Sequence, residues 1–139
     1  MTGVCLRAVL ASVALIGSSG CSKPQTAAPQ LVTVARPAGS WQGSGNATLG
    51  FVSDSGRLRI TWRARAETAP GTGTLRVAVH SAVSGRPLKT VVDHRGEGEG
   101  VVTFDDDPRA YNLMVESANL EWSLAVEEFV GVYQDTPRR

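Results

Sequence analysis

The chain has 139 residues, with 14 Lys and Arg against 13 Asp and Glu, for a formal charge of +1 at neutral pH. That near balance argues against a dedicated nucleic-acid binder, which carries a basic excess gathered on one face. Twelve of the basic residues are Arg, which together with abundant Ala, Gly and Val reflects GC-rich coding more than recruitment of Arg for function. At the N-terminus, Ala8 to Gly17 is an uncharged apolar run behind the single basic residue Arg7. About ten residues suit the core of an export signal and fall well short of the roughly 20 that span a bilayer as a helix.

The run closes on Ser18-Ser19-Gly20-Cys21, which resembles the lipobox of bacterial lipoproteins, with Ser18 where Leu is commonest. The resemblance implies cleavage before Cys21, the lipidation residue, and a diacylglycerol on its sulfur. An ordinary secretory signal, whose small residues also precede the cut, would cleave at the same bond and release a soluble product. The expected location is therefore the extracytoplasmic side of a bacterial cell envelope, lipid-anchored, with a secreted soluble form as the alternative. Cys5 lies in the part removed, so no disulfide can form within the processed chain, although the compartment permits one. The pattern Asn46-Ala47-Thr48 matches a glycosylation acceptor that a bacterial export route would leave bare.

Ser22 to Gln30 is polar and Pro-containing with no large apolar residue, and reads as a tether. Extended at roughly 3.1–3.5 Å per residue, it holds the downstream chain about 30 Å from a membrane. The organisation expected is a signal peptide over 1–20, a lipid-anchored tether over 21–30, one domain over 31–132 and a C-terminal tail over 133–139.

Within the domain the apolar residues recur with period two. Leu58, Ile60, Trp62, Ala64 and Ala66 share one face of Arg57 to Glu67, and Arg57, Arg59, Thr61, Arg63 and Arg65 share the other. Leu75 to Val83 repeats the pattern, and Trp122, Leu124 and Val126 oppose Glu121, Ser123, Ala125 and Glu127. Further strands are expected over Leu31 to Arg36, Ala47 to Ser53, Leu88 to His94, Val101 to Asp105 and Tyr111 to Ala118. Asp54-Ser55-Gly56, Pro70-Gly71, Ser84-Gly85-Arg86-Pro87 and Asp107-Pro108 supply turns, and Gly96 to Gly100 is expected as a loop. About eight short strands with no room for crossover helices predict an all-β antiparallel β-sandwich or jelly roll.

The order Phe51, Arg59-Ile60-Thr61-Trp62, Val77-Ala78-Val79, Tyr111-Asn112-Leu113-Met114-Val115 and Glu121-Trp122-Ser123-Leu124 resembles small exported β-sandwiches of the pre-peptidase C-terminal and CUB-like type. The resemblance implies a non-catalytic accessory or interaction domain, and it carries over no binding residue.

Four features could carry chemistry. Arg57, Arg59, Arg63 and Arg65 project from one strand face, with neighbours about 6.6–6.8 Å apart, as an anion-binding stripe would. Pairing with Glu116, Glu121, Glu127 or Glu128 on adjacent strands would instead neutralise them, and this is the expected outcome. Asp105, Asp106 and Asp107 supply the hard oxygens that calcium prefers, but adjacent side chains diverge and a solvated turn explains them. His80 and His94 belong to no metal-ligand motif, and no nucleophile-elbow or phosphate-binding glycine loop occurs. Trp62 and Trp122 fall on apolar faces, whereas Trp41 either caps the core or stands in a cleft. The function expected is that of a non-enzymatic binding or envelope-structural module without a cofactor. Its partners would be the membrane, through the lipid, and an envelope protein or glycan, with no nucleic acid; a small secreted hydrolase or hydrolase accessory domain is the alternative.

Overall fold

The computed structural model describes Gly20 and residues 28–135. The rest of the expected leader, Cys21, most of the tether and residues 136–139 of the expected tail lie outside the described residues. Among the described residues eight strands succeed one another without a helix: β1 (Gln30–Ser44), β2 (Ala47–Ser53), β3 (Arg57–Arg65), β4 (Thr74–Ser81), β5 (Pro87–Arg95), β6 (Gly98–Asp105), β7 (Arg109–Ala118) and β8 (Glu121–Gln134). No described helix is long and apolar enough to cross a membrane.

The strands form two antiparallel four-stranded sheets, ordered β1-β8-β3-β6 and β2-β7-β4-β5. The pairing is nested: β1 with β8, β2 with β7, β3 with β6, and β4 with β5. One long hairpin has thus been rolled up, and the rolling adds the contacts of β3 with β8 and of β4 with β7. This is the jelly-roll arrangement.

Period-two alternation fixes which face of each strand is buried, because a one-residue slip would turn every apolar side chain outward. From one sheet Leu58, Ile60, Trp62, Phe104, Trp122, Leu124 and Val126 point inward, and from the other Leu75, Val77, Val79, Tyr111, Leu113 and Val115 meet them. The Tyr111 ring stacks on Phe51 at 5.7 Å and meets Phe104 edge-on at 5.9 Å. Its hydroxyl donates to the carbonyl of Asp107, four residues earlier, which ties the β6–β7 turn to the core. Burial, followed by the charge of Asp106, raises the Tyr111 pKa above its usual value.

Two expected boundaries are corrected. Gly98 and Gly100 belong to β6 and not to a loop. They face inward, where rings occupy the space that side chains would take: a Cβ on Gly100 would lie 2.7 Å from Trp62 Nε1, and one on Gly98 would lie 2.6 Å from His94 Nε2. β1 also runs on past Arg36 to Ser44, through a bulge between Pro37 and Gly39. Trp41 is therefore part of the sandwich, half-buried against Phe51 at 6.1 Å, with its indole folded over Gly39.

At the other limit of the β1–β8 pair, the two strands outrun the sandwich. The β8 register with β3 stops at Glu128, opposite Leu58, whereas its register with β1 continues from Ala35–Phe129 to Gln30–Gln134. Six residue pairs thus form a two-stranded ribbon that leaves the end carrying the β2–β3, β4–β5 and β6–β7 connections.

Candidate functional site

The outer face of the β1-β8-β3-β6 sheet is built in rows across the strands. One row is Ser40, Ala125, Thr61 and Val101, and the next is Gln42, Ser123, Arg63 and Glu99. Small side chains in the first row leave the backbone close to the surface, so the face dips into an open trough of about 570 Å³. A second cleft of about 370 Å³ adjoins it and shares Arg63 and Ser123. It continues toward Ser44, Arg65 and Glu121.

Ion pairs stand on either side of the row of small residues. Arg59 pairs with Glu127, and Arg63 with Glu99 at 3.1 Å. Four residues along an extended strand place these two pairs roughly 13 Å apart. Arg59 also lies over the Phe129 ring, 5.3 Å from its centroid. Farther along, Arg57 approaches Asp105 at 3.9 Å, and Arg65 faces Glu121 in register.

Three of the four stripe arginines therefore meet carboxylates, but the set of partners differs from the expected one. Glu127 is among them, and Glu99 and Asp105 come from β6, which pairing by sequence order alone did not bring beside β3. Glu116 lies in the other sheet, opposite Arg76, and Glu128 points into the interior. Exposed pairs of this kind contribute roughly 0–1 kcal/mol each. Arg59→Gln and Arg63→Gln are accordingly expected to shift the urea midpoint by less than roughly 1 kcal/mol in stability. A loss of several kcal/mol in either would show that these pairs hold the sheet together.

The acidic run is divided among local partners. Asp106 Oδ1 accepts the amide of Asp107 at 2.7 Å and Arg109 at 3.4 Å, Asp107 Oδ2 accepts Arg109 at 3.1 Å, and Asp105 faces Arg57. Among the described residues no three His, Cys, Asp or Glu side chains converge as a metal site. The histidines stand apart as well. His80 Nδ1 lies 3.3 Å from the Gly85 carbonyl, and His94 Nε2 lies 3.1 Å from the Glu97 carbonyl, with its ring against Trp62 at 4.9 Å. Among the described residues neither is hydrogen-bonded to a serine or a carboxylate.

Glu128 is the residue whose role the sequence pattern did not reveal. Its parity on β8 matches Trp122, Leu124 and Val126, so it points inward and is buried. Five donor contacts meet its carboxylate. Arg36 Nε reaches Oε1 at 3.0 Å and Nη2 bonds the same oxygen, while Oε2 accepts the Ser53 hydroxyl at 2.7 Å and the amides of Asp54 and Ser55 at 2.8 and 3.3 Å. Burial alone would raise its pKa. The hydrogen bonds from Ser53, Arg36 and the two amides outweigh burial and hold it at about 2, below the usual 4.5. The same contacts, first to Glu128 and then to Asp54, raise the pKa of Arg36. The turn held in this way crosses from one sheet to the other. Gly56 completes it at φ +70°, with no room for a Cβ against the Asp106 carbonyl.

No protein-family profile matches the sequence, and no curated protein matches it. Among solved structures, a chain in the structure of infectious bursal disease virus, Gt strain, is similar at 12% identity and a TM-score of 0.30. That similarity covers 86% of this chain and 36% of the viral one, so this chain spans about a third of the length it is compared with.

Proposed function

We propose that the protein is a lipid-anchored, extracytoplasmic jelly roll that binds a neutral, hydroxyl-rich ligand, a glycan of the cell envelope, in the trough of the β1-β8-β3-β6 sheet. One observation carries the binding part: a row of small and hydroxylated side chains, Ser40, Ala125 and Thr61, between two internally neutralised ion pairs. Arginine donors and carboxylate acceptors on both sides, with little net charge, suit a partner that offers many hydroxyls in each role. A polyanion would instead have to compete with Glu99 and Glu127 for the arginines. The anchor part is supported by Ser18-Ser19-Gly20-Cys21 and by the polar tether leading into β1.

Two variants test the reading. Cys21→Ser is expected to move the protein from the membrane to the soluble fraction, and intact mass spectrometry of the native protein should find an acylated Cys21. Ala125→Arg fills the trough at an outward position, and is expected to abolish co-sedimentation with insoluble envelope polysaccharide while leaving thermal unfolding near wild type. If that variant binds as well as the wild type, the trough is not the site. If binding falls with added salt and is lost on Arg63→Gln, the partner is anionic and the neutral-glycan reading fails.

A further inference from the structure

We propose that the distal end of the β1–β8 ribbon seats in the headgroup layer of the membrane, giving the sandwich a second, non-covalent contact with the lipid surface. The inference rests on the anchor reading above and deepens it. A two-stranded ribbon with both edges free is marginally stable in water by itself. Here Val32 with Val132 and Val34 with Val130 form one half-buried face, and Leu31 opposes Tyr133 on the other. Leu31 lies over Gly131 and stays 64% exposed, while Tyr133 is 74% exposed. The pair brings two large exposed apolar side chains together at the distal end of the ribbon, where a partner surface can cover both.

The course of the chain identifies that surface. Gln30 opens the ribbon, and it is also the last residue of the nine-residue tether that succeeds Cys21. Nine residues span at most about 32 Å, so a lipid on Cys21 keeps the ribbon end within that distance of the membrane, at a high effective concentration. Tyrosine, with an apolar ring and a polar hydroxyl, suits the interface, and Leu and Val suit the layer just beneath it. The base of the ribbon adds little field of either sign. Arg36 is paired with Asp54 and Glu128, Arg57 with Asp105, and Arg109 with Asp106 and Asp107. The contact made by Leu31, Val132 and Tyr133 is therefore apolar in character.

The test uses the chain from Cys21 onward, which retains every strand and every core residue and has Cys21 as its only cysteine. Cys21 is coupled to a maleimide lipid in vesicles of phosphatidylethanolamine and phosphatidylglycerol. Tyr133→Trp, at an exposed position, adds a reporter to the tryptophans of the sandwich body. Its added emission is expected to shift to the blue and to be quenched at least twofold by brominated lipid. The emission added by Pro70→Trp, in the β3–β4 loop at the opposite end, should remain unquenched. Adding Leu31→Ser and Val132→Ser to Tyr133→Trp should abolish the quenching. An unquenched reporter at position 133 on the coupled protein would overturn the proposal. A blue shift that depends on protein concentration and occurs without lipid would overturn it in favour of a second copy of the chain. Because the coupling is synthetic, failure here is distinct from failure of the anchor reading, which an unmodified Cys21 in the native protein would reveal.

Discussion

Glu128→Gln is expected to lower stability at neutral pH by about 3 kcal/mol. A carboxylate held at about 2 instead of 4.5 favours the folded state by that amount, at about 1.4 kcal/mol per unit. The amide is a poor substitute because all five contacts come from donors, and an NH2 group would have to face some of them. The sign of the pH dependence is set by the direction of the shift. The group binds its proton less readily in the folded state, so its stabilisation is complete above pH 4.5 and is lost as the pH falls from there toward 2. Melting temperatures of wild type and variant should differ by roughly 10–25 °C at pH 7 and converge near pH 2. A difference that persists unchanged down to pH 2 would mean that the carboxylate's charge contributes nothing.

Trp62→Ala and Trp122→Ala are each expected to cost about 3–5 kcal/mol, the range for emptying a large aromatic site in a core. Trp122 packs against Gly43 and donates from Nε1 to the Gly45 carbonyl at 2.9 Å, so its loss opens the interior and frees the β1–β2 turn. Trp62 fills the space kept open by Gly100 and contacts the His94 ring. A domain of this size holds about 5–15 kcal/mol in all, so either variant could be largely unfolded at 37 °C. Urea unfolding monitored by circular dichroism measures the effect. Near-wild-type midpoints for both would place the indoles at the surface and reopen them as sugar-stacking platforms.

The strands were legible because alternation is a direct record of burial: the bounds of Ala47–Ser53 match to the residue, and those of β3, β4 and β7 to within two. Strand order was not legible, because alternation says which face is buried and nothing about which strand lies alongside. The unexpected neighbours of the arginine stripe have this origin: Glu99 and Asp105 reach β3 only through the roll of the sheet. Gly98 and Gly100 misled for another reason. Glycine punctuates loops, but here it makes room for aromatic rings contributed by other strands. The buried Glu128 was readable in principle. Extending the parity of Trp122, Leu124 and Val126 by one step puts a carboxylate on the apolar face, and such a residue requires partners. The trough was hidden because nothing in Ser40, Thr61 or Ala125 marks them until three strands bring them into one row.

The nested pairing also sets the order in which the molecule can be completed. The innermost hairpin, β4 with β5, closes across a short turn, whereas the outermost pair joins Gln30 to Gln134. Loops close at an entropic cost that grows with length, and folds dominated by distant pairings form slowly. Zipping outward from the Ser84-Gly85 turn adds one strand from each side at every stage, and β1 finds its partner only when β8 is present. Until that last strand has been delivered, the N-terminal strand has no neighbour in its sheet. That sheet therefore stays open at β1 until β8 has been delivered, and it closes only when both strands are present.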